Sequence, residues 1–186
     1  MMWLMNCVHR LQISHLVDDM EKLHSINAEN VVLEKDEFSV KDMFKNVVSA
    51  FEAELNTKGI SVYTECEDIY INADRNKLIQ AITNLISNSV KYSYKGGRIE
   101  LTAFKESNII KITVSDTGFG IPLEDLPYIF ERFYRADKSR NRSTGGSGIG
   151  LSITKAIIDA HGGKITAESI IDKGTKITIL LPEKNK

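Results

Sequence analysis

Asp116-Thr-Gly-Phe-Gly120 stands at the end of an apolar run, Ile109 to Ser115, and 26 residues after it comes Gly146-Ser-Gly-Ile-Gly150-Leu151, at the head of a second apolar segment that runs to Ala160. Twenty-eight residues before Asp116 lies Asn88, within Asn84-Leu-Ile-Ser-Asn88-Ser-Val-Lys91-Tyr92. The first pattern predicts a strand ending at the aspartate. The helical spacing of the other two predicts that one glycine run opens a helix and that the asparagines lie along another. Together they supply a carboxylate, two turns of unhindered backbone, and two amides with a lysine. That inventory suits a nucleotide site that also holds a divalent metal. No single piece decides this; their order and spacing do.

Outward from these segments, the chain alternates helices with short strands. Cys7 to Ala28 reads as an amphipathic helix with Leu11, Leu16, Met20, Leu23 and Ile26 on one side. Ser39 to Thr57 reads as a second helix, with Ser39 and Asp42 as a capping box and Met43, Phe44, Val47, Val48, Phe51 and Leu55 as its apolar face. Ile60–Thr64 and Ile69–Ile71 alternate like strands, and Asp74 caps a third helix running to about Lys91. Arg98–Phe104 and Ile109–Ser115 form a hairpin. Residues 134–148 are polar, aperiodic and long, the mark of a functional loop. His161-Gly-Gly163 closes the last helix, and Lys164–Glu168 and Thr175–Leu181 complete the sheet. This order predicts an α+β fold, a two-layer sandwich whose mixed, mostly antiparallel sheet is covered by three helices and preceded by an N-terminal helix. Residues 1–30 are expected to stand apart from a globular unit over 31–186.

A length of 186 residues, 42% hydrophobic and 26% charged, is sufficient for one cored domain with an appendage. With 24 basic against 25 acidic residues, the balance excludes nucleic acid as an expected partner. Cys7 and Cys66 have no metal-ligand spacing and read as reduced thiols. No apolar run of about 18 residues occurs. Met1-Met-Trp-Leu-Met5 is too short to span a membrane and lacks the features of a secretory signal. It reads as a cloning remnant or the stump of a longer helix.

Asn84, Asn88 and Lys91 fall four and three residues apart, so they share one helix face. An amide oxygen is a hard ligand suited to Mg2+, and lysine meets phosphate as a point charge. Alone, the same trio would suit a solvated face. Asp116 at a strand end can accept a hydrogen bond from an exocyclic amine, although Asp-x-Gly is also an ordinary turn. Gly145 to Gly150 opens a helix, where backbone N–H groups and the helix dipole favour anions. It is not a Walker loop, because the terminal Gly-Lys-Ser/Thr is absent. In Ile129-Phe-Glu-Arg-Phe-Tyr-Arg135, Phe130 and Phe133 are expected to anchor one end of the long loop. Arg132 and its basic neighbours either neutralise phosphate or remain solvated.

Read together, these segments resemble the catalytic, ATP-binding domain of two-component sensor histidine kinases, which belong to the wider class of ATPases with the Bergerat (GHKL) fold. The resemblance covers roughly residues 31–183 and rests on five boxes in order: Asn84–Tyr92, Asp116–Gly120, Phe130–Phe133, Gly146–Leu151 and Gly174-Thr175. It implies ATP and Mg2+ as cofactors, with Asn88 as the metal ligand, Asn84 on the phosphate side, Lys91 on phosphate and Tyr92 near the adenine. Asp116 would read the adenine amine, with Gly118 and Gly120 shaping its pocket. Gly146, Gly148 and Gly150 would cradle phosphates, with Arg132 and Leu151 completing the set. Thr175 would support the aspartate, and the loop would be a lid. Ser89 stands where the family more often has alanine and reads as a mild change on the buried side.

The wider class uses a glutamate at the position of Asn84 to activate water, and an amide cannot act as a general base. Poor intrinsic ATP hydrolysis is therefore expected. An acceptor histidine followed by an acid, a base, Thr and Pro is absent: His9, His15 and His24 lack those neighbours. Residues 10–27 look instead like the second helix of a dimerisation hairpin whose phosphoacceptor helix is not in this chain. The resemblance implies that helix and a response regulator as partners, and a homodimer at full length. It also implies a cytoplasmic location, with membrane contact only through missing N-terminal regions. Two other readings stand beside it: an anti-sigma-factor-type serine kinase, against which the phenylalanine box argues, and a non-catalytic nucleotide-binding module, against which the intact Asn88, Asp116 and glycines argue.

Overall fold

The computed structural model describes residues 32–136 and 147–183. The expected helix from Cys7 to Ala28, the three histidines on it, Gly146 and most of the long loop lie outside the described residues.

Ser39 ends a short strand, β1 (Asp36–Ser39), and caps α1 (Val40–Ala50), its hydroxyl accepting the Asp42 N–H at 3.2 Å. The helix expected to continue to Thr57 is broken at Phe51, where φ −103° and ψ 4° turn the chain into α2 (Glu52–Lys58). The Phe51 N–H bonds to Val48 O at 3.0 Å, a tightened turn that keeps the Phe51 ring against the core while Leu55 is buried beyond it. Strand β2 (Ser61–Cys66) follows, and then β3 (Tyr70–Ala73), which pairs antiparallel with β1 as a separate two-stranded sheet.

Asp74 caps α3 (Arg75–Tyr92), accepting the Lys77 N–H at 3.0 Å. Strands β4 (Arg98–Glu106) and β5 (Ile109–Asp116) form the expected hairpin. Helix α4 (Gly150–Ala160) leads into β6 (Lys164–Ile170) and β7 (Gly174–Pro182). The main sheet runs β2-β4-β5-β7-β6, with β2 parallel to β4 and every other pair antiparallel. Two layers result, as expected.

The strand period of two decides what lies beneath the helices. Ile99, Leu101 and Ala103 of β4, Ile110, Ile112 and Val114 of β5, and Ile177, Ile179 and Leu181 of β7 are buried. They meet Leu78, Ile82, Leu85 and Ile86 of α3 and Ile153, Ile157 and Ile158 of α4. Each row, followed to one end of the core, turns polar. On β5, Val114 gives way to Asp116; on β7, Ile177 gives way to Thr175; on β6, Ala167 gives way to Ser169. On α3, Ser89 stands one turn beyond Leu85.

Candidate functional site

Those four polar residues form the floor of the site. Because its parity matches that of Val114, Asp116 projects into the core face rather than into solvent. Its Oδ1 accepts N–H bonds from Gly118 at 2.9 Å and Thr175 at 3.3 Å, and its Oδ2 accepts the Ser89 hydroxyl at 3.0 Å. Burial pushes the Asp116 carboxyl above its ordinary pKa, against the three hydrogen bonds that pull it down. A carboxylate has about four acceptor positions, so three donors leave one for a ligand. Behind it, Ser169 Oγ meets Thr175 Oγ1 at 2.9 Å, donates to Gly174 O at 2.8 Å, and accepts the Ile121 N–H at 2.8 Å.

The glycines around Asp116 are required by contacts within the chain. A Cβ on Gly118 would lie 2.4 Å from Tyr92 O, and one on Gly174, at φ +115°, would lie 1.8 Å from Asp116 O. The expectation that Gly118 and Gly120 merely clear space for a ligand is therefore incomplete. Gly120 also needs its bare backbone, since a Cβ there would meet Ile170 O at 2.2 Å. Close packing of the turn onto α3 and the β6–β7 connection is what demands glycine.

The opposite wall is α3 with the start of α4. Asn84 donates from Nδ2 to Gly150 O at 3.1 Å and to Thr154 Oγ1 at 3.4 Å, tying α3 to the first turn of α4. Asn84 is thus a clamp as well as a candidate phosphate-side residue. Asn88 is half-buried one turn on, and Lys91 lies with its ammonium 5.0 Å from the centroid of the 41%-exposed Tyr92 ring. Lys58 donates to Val90 O at 2.6 Å and Lys91 O at 3.1 Å, satisfying carbonyls at the end of α3. No side chain caps α4, and no acid lies in its first turn. A Cβ added at Gly150 would lie 3.7 Å from Asn84 Cγ, an ordinary contact, and Leu151 packs on the core edge.

The two ends of the long loop meet. Phe133 N–H donates to Gly148 O at 3.1 Å, and a Cβ on Gly148, at φ +72°, would press on Tyr134 O at 2.9 Å. Phe130 packs against the core as expected, but Phe133 is 60% exposed. Its φ is positive, 64°, and its backbone makes the tie to Gly148. Arg132 is exposed beside it. Tyr134 donates to Asp125, and that bond pushes its phenol up to about 12.

Sequence reasoning placed Ser89 on the buried side without its bond to Asp116, and missed Ser169 and the bonds of Lys58 to the end of α3. A polar residue within an apolar stripe was the available signal for Ser89.

Among the described residues no helix is long and apolar enough to cross a membrane, and no group of three or more His, Cys, Asp or Glu is gathered as for a metal. The family described as histidine kinase-, DNA gyrase B-, and HSP90-like ATPase matches residues 73–185. Sensor histidine kinase WalK of Bacillus subtilis (strain 168) is 36% identical over 175 residues, 92% of this chain and 28% of that protein. The chain therefore spans under a third of that relative. Histidine kinase AdeS of Acinetobacter baumannii superposes with a TM-score of 0.78 at 27% identity, over 98% of this chain and 83% of that one. Histidine kinase ThkA, solved in complex with response regulator protein TrrA, superposes at 0.77 and 26% identity, over 95% of this chain and 50% of that one. Because the family match covers more than half of the chain, and the aligned relative and superposed structures are all histidine kinases, the chain belongs to this ATPase family as the catalytic domain of a two-component sensor histidine kinase.

Proposed function

We propose that this domain binds Mg-ATP with the adenine amine on Asp116 and the phosphates at the start of α4, and donates the γ-phosphoryl group to a histidine. The reading is supported above all by the Asp116 carboxylate, half-buried, held by three donors and left with one acceptor position, together with the uncapped start of α4 that Asn84 ties to the same helix as Ser89. Asn84, Lys91, Arg132, Gly148 and Gly150 would surround the phosphates. Tyr92 would lie against the base, and Gly118, Gly120, Leu151 and Thr175 would shape the pocket. Gly146 carries the same assignment from the sequence alone.

The residues fit a metal that arrives with the nucleotide. Asn88 offers an amide oxygen, and no carboxylate cage exists among the described residues, so most ligands must be phosphate oxygens and water, as Mg2+ prefers. When bound, Mg2+ neutralises phosphate charge. In the transfer itself the bond from the γ-phosphorus to the β–γ bridging oxygen breaks, a bond to an imidazole nitrogen forms, and ADP leaves. The chain's contribution is positioning and charge. Asn84 supplies no base for water, which favours transfer over hydrolysis.

The acceptor histidine would lie on a dimerisation helix of the same protein, with residues 1–30 as that hairpin's second helix and 31–186 as the kinase unit. A response regulator would take the phosphoryl group onward. At full length the protein would be a homodimer whose kinase unit faces the cytoplasm from a membrane-bound sensor. Calorimetric titration with ATP, with and without Mg2+, tests the central claim. Saturable binding that requires Asp116 and changes with Mg2+ is expected; binding indifferent to Asp116→Asn would overturn it.

A further inference from the structure

Ser89 differs from four other hydroxyls on the described helices. Ser49 donates to Asn46 O at 2.9 Å, Thr57 to Ala53 O at 2.7 Å, Ser152 to Ile149 O at 2.8 Å and Thr154 to Gly150 O at 2.9 Å. Each returns its proton to a carbonyl three or four residues back, the usual course for a helical hydroxyl. Ser89, only 5% exposed, sends its proton across to Asp116 Oδ2. A hydroxyl has one proton to give, so this bond is the whole of its donation. The two oxygens of Asp116 are then held differently: Oδ1 by the backbone of Gly118 and Thr175, Oδ2 by a side chain that a single substitution removes.

We propose that Ser89 is a positioning residue for base selection: it holds Asp116 Oδ2 as an acceptor aimed at an exocyclic amine, so that the site prefers a 6-amino purine to a 6-oxo purine. The inference rests on Asp116 being the base contact. An ionised carboxylate only accepts, so a 6-amino group bonds to it while a 6-oxo group meets it acceptor to acceptor. The last torsion of an aspartate is broad. With Ser89 in place, three donors fix the carboxylate plane and favour its charged form. With alanine, Oδ2 loses its donor within a half-buried site. The carboxyl can then turn or take up a proton, and either change relieves the clash with a 6-oxo group while weakening the bond to the amine.

The test is calorimetric titration of the chain with ADP and with inosine diphosphate, which differs at the 6-position, for wild type, S89A, S89T and D116N. Wild type is expected to prefer ADP. S89A should shrink that preference about tenfold, the typical worth of one hydrogen bond to a charged group, chiefly through weaker ADP binding. S89T keeps the hydroxyl and should restore the preference; should it fail to fold, the S89A ratio decides alone. If S89A keeps the wild-type ratio while D116N collapses it, the role of Ser89 is overturned and the reading of Asp116 survives. Equal losses for both diphosphates in S89A would reduce Ser89 to a packing residue, which also overturns the proposal. If D116N changes neither affinity nor ratio, Asp116 is not the base contact and both readings fall.

Discussion

Two polar clusters close the two ends of one apolar core, about 22 Å apart along α3. At the end where α3 begins, Asp74 Oδ1 accepts the Lys77 N–H and Oδ2 accepts the Glu34 N–H, while the Asp74 N–H bonds to His161 Nε2 at 3.1 Å. His161 Nδ1 in turn meets Ile157 O at 2.8 Å. Both imidazole nitrogens are used, which makes the ring neutral with its proton on Nδ1. At the other end, Asp116 is held by three donors and keeps room for a fourth. Both clusters contain an aspartate, Asp74 as the cap of α3 and Asp116 at the end of β5 against the other end of that helix. Asp74 is only 5% exposed, which closes its remaining acceptor positions to a ligand, whereas the half-buried Asp116 keeps its one remaining position within reach of solvent. That difference separates a structural polar cluster from a binding one, and it should be measurable.

The largest effect expected is on the fold at the Asp116 end. Gly174→Ala puts a Cβ 1.8 Å from Asp116 O, at a φ that only glycine adopts readily. A loss of roughly 4 kcal/mol or more in denaturant unfolding is expected; a mild loss would show that the turn can yield. His161→Ala strands the buried Asp74 N–H and removes a packed ring. It should cost about 2–4 kcal/mol yet leave ADP affinity per folded molecule unchanged. Asp116→Asn should do the reverse. Its amide can still accept from Gly118 and relieves a buried charge, so Tm should hold or rise, while ADP affinity falls roughly 10–100-fold. If the two variants shift the same observable, the division between the clusters is wrong.

Smaller effects follow the same division. Burial holds His161 below its ordinary value of 6.5, partly offset by the Ile157 carbonyl. A depressed pKa means that its contribution is fully present above that value and is lost as pH falls through the folded pKa. Asp116, raised by burial, runs the other way: its contribution is present below the ordinary value of 3.8 and is lost as pH rises through the folded one. Urea midpoints of wild type should therefore drop between pH 7 and pH 5.5, and His161→Gln should flatten that slope; a parallel slope in the variant would clear His161. Smallest, Gly150→Ala meets nothing closer than Asn84 Cγ at 3.7 Å and should stabilise α4 by up to about 1 kcal/mol, read as a rise in Tm.

Much of the site could be read along the chain, because its signals are local. Asp74 before a helical pattern was recognisable as a cap, Asp116 after alternating residues as a strand end, and Gly150 before an apolar period as a helix start. The break at Phe51 was not readable, since the apolar spacing continues through it and the turn is set by packing. Nor was the pairing of β1 with β3, two four-residue segments whose partnership is a long-range fact. Phe133 holds one end of the loop through its backbone bond to Gly148 and not through the buried ring that its aromatic character predicts.

By itself, then, the sequence determined the fold class, the family boxes and the helix ends, because period, capping and glycine placement act over a few residues. Only the tertiary structure decided what those residues do to one another. Ser89 and Asp116 lie 27 apart in the chain, and Asp74 and His161 lie 87 apart. Strand parity and the docking of α3 on the sheet bring each pair together, and neither can be counted off along the chain. A serine that reads as a mild change on a buried face thereby becomes a donor to the site's central carboxylate.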